Sequence, residues 1–218
     1  AVDFEDMGET ADRWLRQPVI TPADVRNIEL DERAHAVRLP KGLRLDFGGV
    51  AKGWAVHQTM LMLAEYAPVL VDGSGDIALS GAMQDGSSWP ISIADPFDPS
   101  TNLGLVMLSS GGVATSGRDY RRWLANGHWQ HHLIDPRTQL PAETDVLTAT
   151  VIAETVMDAE RISKQCLILG SSETEKQFAS TDTAYFLVKE DGSTVESENF
   201  RQFRWKESCK SIQDKISA

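Results

Sequence analysis

The sequence predicts an α+β fold with a mixed, mainly antiparallel sheet and packed helices, and three observations carry that prediction. Short alternating apolar runs dominate the stretch from residue 69 to residue 153 and read as strands. Two segments, roughly 50–66 and 155–169, have helical apolar spacing and clear ends at Pro68 and Gly170. Between them there is no regular strand–helix alternation, which excludes a wholly parallel sheet.

The elements follow in order. Residues 3–16 read as a short acidic helix or turn, and Val25 to Leu39 as strand pieces around the polar turn at 31–33. A strand over 43–47 leads through Gly48 and Gly49 into the first helix, whose buried face includes Met60, Leu63 and Ala64. Strand signals then recur at 69–72, 77–79, 89–94, 103–108, 113–115, 129–134 and 146–153. After the second helix, Ala184 to Lys189 is one more strand, a short hairpin carries the chain to Trp205, and residues 206–218 form a frayed tail. No internal repeat or low-complexity linker divides the chain, so residues 1–218 read as one domain.

Composition narrows the function classes. A chain of 218 residues with 41% hydrophobic and 24% charged residues can bury a substantial core. The formal charge of -11 argues against nucleic acid and anionic membrane as partners. An anionic ligand therefore needs a local basic pocket. No apolar run reaches the roughly 18 residues of a membrane span. With only Cys166 and Cys209, no disulfide framework is expected. The chain starts at Ala1 with no signal peptide in view, which is compatible with a cytoplasmic or an extracytoplasmic location.

Five stretches carry chemistry. Leu45 to Gly53 (Leu-Asp-Phe-Gly-Gly-Val-Ala-Lys-Gly) is an anion site in outline. Gly48 and Gly49 let backbone N–H groups approach a phosphate, the helix N-terminus adds partial positive charge, and Lys52 adds a full one. It is not a Walker A loop, and a plain strand-to-helix turn would look similar. Val71 to Ile77 places Gly73-Ser74-Gly75 and Asp76 between two strands, either as a plain hairpin or as backbone passing under a flat or phosphorylated ligand. Thr115, Ser116 and Gly117 end a strand and are followed by Arg118, Arg121 and Arg122, guanidinium forks suited to phosphate unless local carboxylates claim them. In His131-His132-Leu133-Ile134-Asp135 strand alternation turns one histidine inward, where an ordinary core role competes with proton transfer. In the second helix Glu160 and Lys164 stand four apart in the favourable order for an ion pair.

Taken in order, the segments 45–57, 69–81, 113–123, 131–141 and 146–170 resemble the FAD:protein FMN transferase family, the ApbE type, whose architecture is T-fold-like. The resemblance implies FAD in a cleft of an α+β fold, cleavage of its pyrophosphate, attachment of FMN to a Thr or Ser hydroxyl of an acceptor protein, and release of AMP, normally with magnesium. By position it places Gly48, Gly49, Ala51 and Lys52 at the FAD phosphates and ribose, with the Ala51 carbonyl facing the metal. Gly75 and Asp76 match the family's Gly-Gly-Asp turn, with Ser74 in place of a glycine. Thr115, Ser116 and Gly117 match its Thr-Ser-Gly segment, with Arg118 beside them. His132 matches the histidine near the reacting phosphate.

The departures are as informative. Counting back from the Leu-x-Leu-Gly end of the second helix puts Glu160 and Lys164 where the family has its Asp and Thr metal ligands. An ammonium has no lone pair to give a metal. Either Glu160 keeps a weakened magnesium site, or Lys164 stands in for the ion as a point charge at the pyrophosphate. His57 replaces an acidic residue, Gln139 replaces a glycine, and Arg118 is an extra residue before Asp119-Tyr120. Only 45 residues precede Asp46, which is short for the family and leaves a half-site through which copies of the chain could pair. The rival to a transferase is a flavin-binding accessory or carrier protein. A third reading is a fold partner that binds no nucleotide.

Overall fold

The computed structural model describes residues 25–41, 43–98, 100–119, 122–125, 128–138 and 140–205. The expected helix at 3–16, the tail at 206–218, Cys209, Gln139, Tyr120 and Arg121 lie outside the described residues. Among the described residues the order of elements begins with a 3-10 turn at Val25–Asn27. Strands β1 (Glu29–Asp31) and β2 (Ala36–Arg38) form an exposed antiparallel pair. Helix α1 (Ala51–Ala64), β3 (Leu70–Asp72), β4 (Asp76–Leu79), β5 (Trp89–Ala94), β6 (Asn102–Leu108) and β7 (Gly111–Gly117) come next. Strands β8 (Arg122–Ala125), β9 (His128–His131), β10 (Ile134–Asp135), β11 (Leu140–Pro141) and β12 (Val146–Ala153) follow. Helices α2 (Val156–Leu169) and α3 (Ser171–Phe178), strands β13 (Ala184–Lys189) and β14 (Thr194–Glu196), and the short helix α4 (Glu198–Arg201) complete the order.

Among the described residues the central sheet has six strands in the order β14-β13-β12-β7-β4-β3, and every pairing in it is antiparallel. The α+β class predicted from the strand pattern is the one found. Alternation along the strands sorts the core into two layers. Leu79, Val113, Ile152, Phe186 and Val188 point to one face, where they meet Ile91, Val106 and Leu108 of the β5–β6 hairpin and Phe200 of α4. Ala114, Ala149, Val151, Tyr185 and Leu187 point to the other, against Ala159, Cys166 and Leu167 of α2. A third group, Val56, Met60, Ala78 and Val156, ties α1 to β4 and to the start of α2. Because β12 is covered on both faces, it reads as a continuous apolar run with buried threonines.

Helix α2 is set by its ends. Thr155 Oγ1 accepts from Asp158 N at 3.0 Å and donates to Asp158 Oδ2 at 2.7 Å. At the other end Gly170 takes φ 81, where a glycine carries no Cβ penalty. Its buried stripe is Val156, Ala159, Glu160, Ser163, Cys166 and Leu167. A carboxylate and a hydroxyl therefore sit inside a stripe that amphipathic spacing would reserve for apolar side chains.

Four expectations need correction. Residues 43–47 form no strand: Asp46 Oδ1 accepts from Gly48 N at 2.7 Å, and Phe47 O accepts from Val50 N and Ala51 N, so the segment closes a tight turn. The single strand expected over 129–134 is two, broken at His132 and Leu133. The route to Trp205 includes α4 as well as the β13–β14 hairpin, because Ser197 caps a short helix through its side chain. Leu63, expected on the buried face of α1, is exposed, because the packed stripe is Val56, Met60 and the half-buried Ala64. An additional helix, α3, follows α2 directly, and Ser171 N donates to Asp145 Oδ1 at 2.9 Å.

Candidate anion site at the first turn of α1

Four pieces of backbone converge at one end of the sheet. The turn at 73–75 joins β3 to β4, and pairing of Asp76 with Ala114 sets that turn beside the end of β7. Residue Ser74 has φ 61 and Gly75 φ 91, left-handed positions that make this turn tight. Helix α1 begins beside it, and α2 crosses α1 at Gly53. A Cβ built on Gly53 would lie 2.6 Å from Glu160 Oε2 and 3.3 Å from Met157 Cα. Only the smallest residue lets the two helices meet there.

Two ion pairs fill the convergence. Lys52 Nζ stands 2.9 Å from Asp76 Oδ2, outside hydrogen-bond geometry, and donates to Ser74 O at 3.4 Å. Lys164 Nζ donates to Glu160 Oε1 at 2.9 Å. The other oxygen, Glu160 Oε2, accepts from Gly53 N at 2.9 Å. The stem of Lys164 runs along Gly49, whose Cβ position is 3.8 Å from Lys164 Cδ. Burial divides the four side chains by sign. Asp76 and Glu160 are 2% and 0% exposed, whereas Lys52 and Lys164 are 46% and 22% exposed. Burial pushes the Asp76 carboxyl above its ordinary range, and the Lys52 contact opposes that shift only in part.

The expected residues divide between this cluster and other places. Gly49, Lys52, Asp76, Glu160 and Lys164 come together, with Gly48, Ala51 and Gly75 in the adjoining turns. The first-turn amides are mostly engaged internally. Gly48 N turns to Asp46, Val50 N and Ala51 N to Phe47 O, and Gly53 N to Glu160. The positive character of the site therefore rests on the lysine side chains more than on an open nest of N–H groups. Ser116 faces α2, where its Oγ lies 2.7 Å from Ser163 Oγ. Thr115 faces the opposite side of the sheet, its Oγ1 2.9 Å from Thr150 Oγ1, and Gly117 ends the strand. Arg118 is directed elsewhere: its guanidinium donates to the carbonyls of Val146 and Thr144 and pairs with Glu190 at 3.0 Å.

The histidine pair splits as alternation requires. His131 is buried, its Nε2 2.9 Å from Ala142 O and its Nδ1 accepting from Leu133 N at 3.3 Å. Those partners assign the neutral tautomer with the proton on Nε2. Burial holds its pKa below 6.5. His132 is exposed and precedes Leu133, which is buried against α2. Asp135 is held by Arg137 through Nε and Nη2, and Arg137 reaches Ile168 O at the end of α2.

Two contributors had no clear mark in the sequence. Gly53 reads as an ordinary helix residue until the crossing helix is in view. Ser163 follows Glu160 by three residues, and that spacing was its one available signal. Beside the cluster, Phe47, Val50, Ala51, Trp54, Met157, Asp158 and Arg161 line a largely apolar groove of about 620 Å³.

A magnesium ion does not fit this donor set. Among the described residues no group of three or more His, Cys, Asp and Glu is placed to hold a metal. Both Glu160 oxygens are already engaged, one of them by an ammonium, and the carboxylate is closed to a hydrated ion.

Comparison with known proteins bears on the family and the fold. A sequence model of the ApbE family matches residues 6–187. The FAD:protein FMN transferase of Treponema pallidum is 30% identical over 182 residues, 76% of this chain and 50% of that protein. The FAD:protein FMN transferase of Salmonella typhimurium is 27% identical over 206 residues, 87% of this chain and 59% of that protein. Thus the chain spans between half and three fifths of the length of these relatives. The crystal structure of the ApbE protein from Thermotoga maritima superposes with a TM-score of 0.74 at 28% identity, covering 91% of this chain and 64% of that one. The apo flavinyl transferase ApbE of Pseudomonas stutzeri gives 0.69 at 25% identity, covering 92% and 61%.

Proposed function

The chain belongs to the ApbE family, and from that premise we propose that it binds FAD and transfers FMN to a Thr or Ser hydroxyl of an acceptor protein, releasing AMP. The observation that carries this reading is the pair of partly exposed lysines backed by buried carboxylates at the first turn of α1. Lys52 and Lys164 face the pyrophosphate. Gly48, Gly49 and Ala51 bring the backbone close to it, and the turn at Gly75 and the hydroxyl of Ser116 bound the same end of the sheet. The apolar groove with Phe47 and Trp54, both more than half exposed, offers a flat surface to a heteroaromatic ring joined to that pyrophosphate.

In the transfer step the acceptor hydroxyl oxygen attacks the FMN phosphorus and forms a new P–O bond. The bridging P–O bond breaks, and AMP leaves with the bridging oxygen and its electron pair. The hydroxyl proton passes to His132, an exposed imidazole following β9. Lys52 and Lys164 stabilise the charge that grows on the phosphoryl oxygens. A second reading, FAD binding without transfer, is favoured by one observation: the carboxylate at the expected metal position is paired with an ammonium. Incubating the full chain with FAD and an acceptor peptide, then resolving FMN, AMP and peptide adduct by chromatography and mass spectrometry, separates the two. Transfer gives AMP and FMN–peptide in equal amounts, whereas a carrier gives bound, intact FAD. A chain that neither binds nor cleaves FAD would overturn both.

A further inference from the structure

We propose that this is a metal-independent pyrophosphate site in which the ammonium of Lys164, with that of Lys52, takes the place of a divalent cation. The inference deepens the FAD reading and rests on it for the natural ligand, though not for its test. Its first support is the division of charge by burial. Both carboxylates are closed to solvent while both ammonium heads remain reachable. An incoming anion meets the two ammonium heads ahead of the carboxylates that pair with them, although the whole chain carries -11. The exposed Asp46 and Asp72 of the adjoining turns are engaged by Gly48 N and Gly75 N.

The second support is the use already made of Glu160. Its Oε2 holds the Gly53 amide and its Oε1 holds Lys164, so it braces the α1–α2 crossing and aims the lysine along Gly49. A magnesium ion would have to displace Lys164 from the one oxygen that fixes it. That would leave an ammonium beside a dication. The third support is the state of the first-turn amides. Val50, Ala51 and Gly53 donate within the protein, which shifts anion recognition onto side chains. A lysine is a point charge with three donors and suits a phosphate oxygen without fixed coordination geometry. Glu160 is thus a positioning residue, and Lys164 is the group that touches ligand.

The test is calorimetric titration of the full chain with inorganic pyrophosphate, once in excess EDTA and once with added magnesium. Binding in EDTA, unchanged or weakened by magnesium through competition for the ligand, is the expected result. The companion variant is Lys164→Met in a Glu160→Gln background, which keeps an acceptor for Gly53 N and leaves no unpaired buried charge. It should bind pyrophosphate roughly tenfold or more weakly, while Lys164→Arg should retain binding. Pyrophosphate that binds only with magnesium would overturn the proposal even if the variants failed to fold, and so would a folded double variant that binds as the parent does. FAD titrated in parallel distinguishes the two levels. Pyrophosphate bound in EDTA without any FAD binding would support this site and sink the flavin reading.

Discussion

At the scale of single residues, the histidine pair shows how one backbone position separates two chemistries. His131 is fixed as a neutral imidazole between Ala142 O and Leu133 N, and burial is the main reason its pKa lies below 6.5. Arg118 and His132 push it the same way, while the Ala142 hydrogen bond and Glu190 oppose them. The sign of the linkage follows. A histidine with a depressed folded pKa contributes stability that is complete above its unfolded value near 6.5 and is lost as pH falls through the lower folded value. Urea unfolding at a series of pH values from neutral downwards should therefore show stability falling below pH 6.5. In His131→Gln, which can still offer an N–H to Ala142 O, that part of the slope should flatten. An identical slope in parent and variant would mean that other groups carry the acid sensitivity.

At the scale of elements, the site is a crossing of two helices that one glycine permits. Replacing Gly53 by Ala gains up to about 1 kcal/mol of helix propensity in α1. Against that, the new methyl lies 2.6 Å from Glu160 Oε2 and 3.3 Å from both Met157 Cα and Val156 O. Backbone atoms cannot turn aside as a side chain can, and overpacking of this kind costs about 1–3 kcal/mol. Gly53→Ala should therefore destabilise the fold by a net of about 1 kcal/mol, seen as a lower thermal midpoint, and weaken pyrophosphate binding, because Lys164 is aimed by Glu160. A variant as stable as the parent would show that α1 can slide without strain. The same crossing explains what could be read from the sequence. The spans of α1 and α2 and the strands of the sheet follow from local period and end signals, which alternation and Gly170 make plain. Glu160 and Lys164 were visible as an i,i+4 pair, and Lys52 as the cation of a glycine turn. Their junction was not, because it depends on α1 and α2 packing against β4, a contact between residues 107 apart at Gly53 and Glu160. Residues 43–47 mislead for the converse reason: the apolar spacing of a strand is there, but Asp46 and Phe47 close a turn, and among the described residues no strand pairs with it.

At the scale of the whole molecule, the field of the chain and the field of the site have opposite signs. A charge of -11 about 20 Å from an approaching ligand opposes each unit of negative charge by roughly 2 kcal/mol in unscreened water. For a pyrophosphate with two charges that is about 4 kcal/mol of long-range repulsion. Each ammonium–phosphate contact returns about 1 kcal/mol at a partly exposed position. At low salt the repulsion dominates the approach. Near 0.1 M salt, where the Debye length is about 10 Å, the distant carboxylates are largely screened while contacts at Lys52 and Lys164 are reduced much less. The association rate constant for FAD, followed by stopped-flow flavin fluorescence, should therefore rise as salt is raised towards about 0.1 M. A steered anion site on a basic protein would show the opposite slope. If the rate falls with salt here, the lysines project a field well beyond contact range, and the buried carboxylates behind them screen less than their 2.9 Å pairings imply.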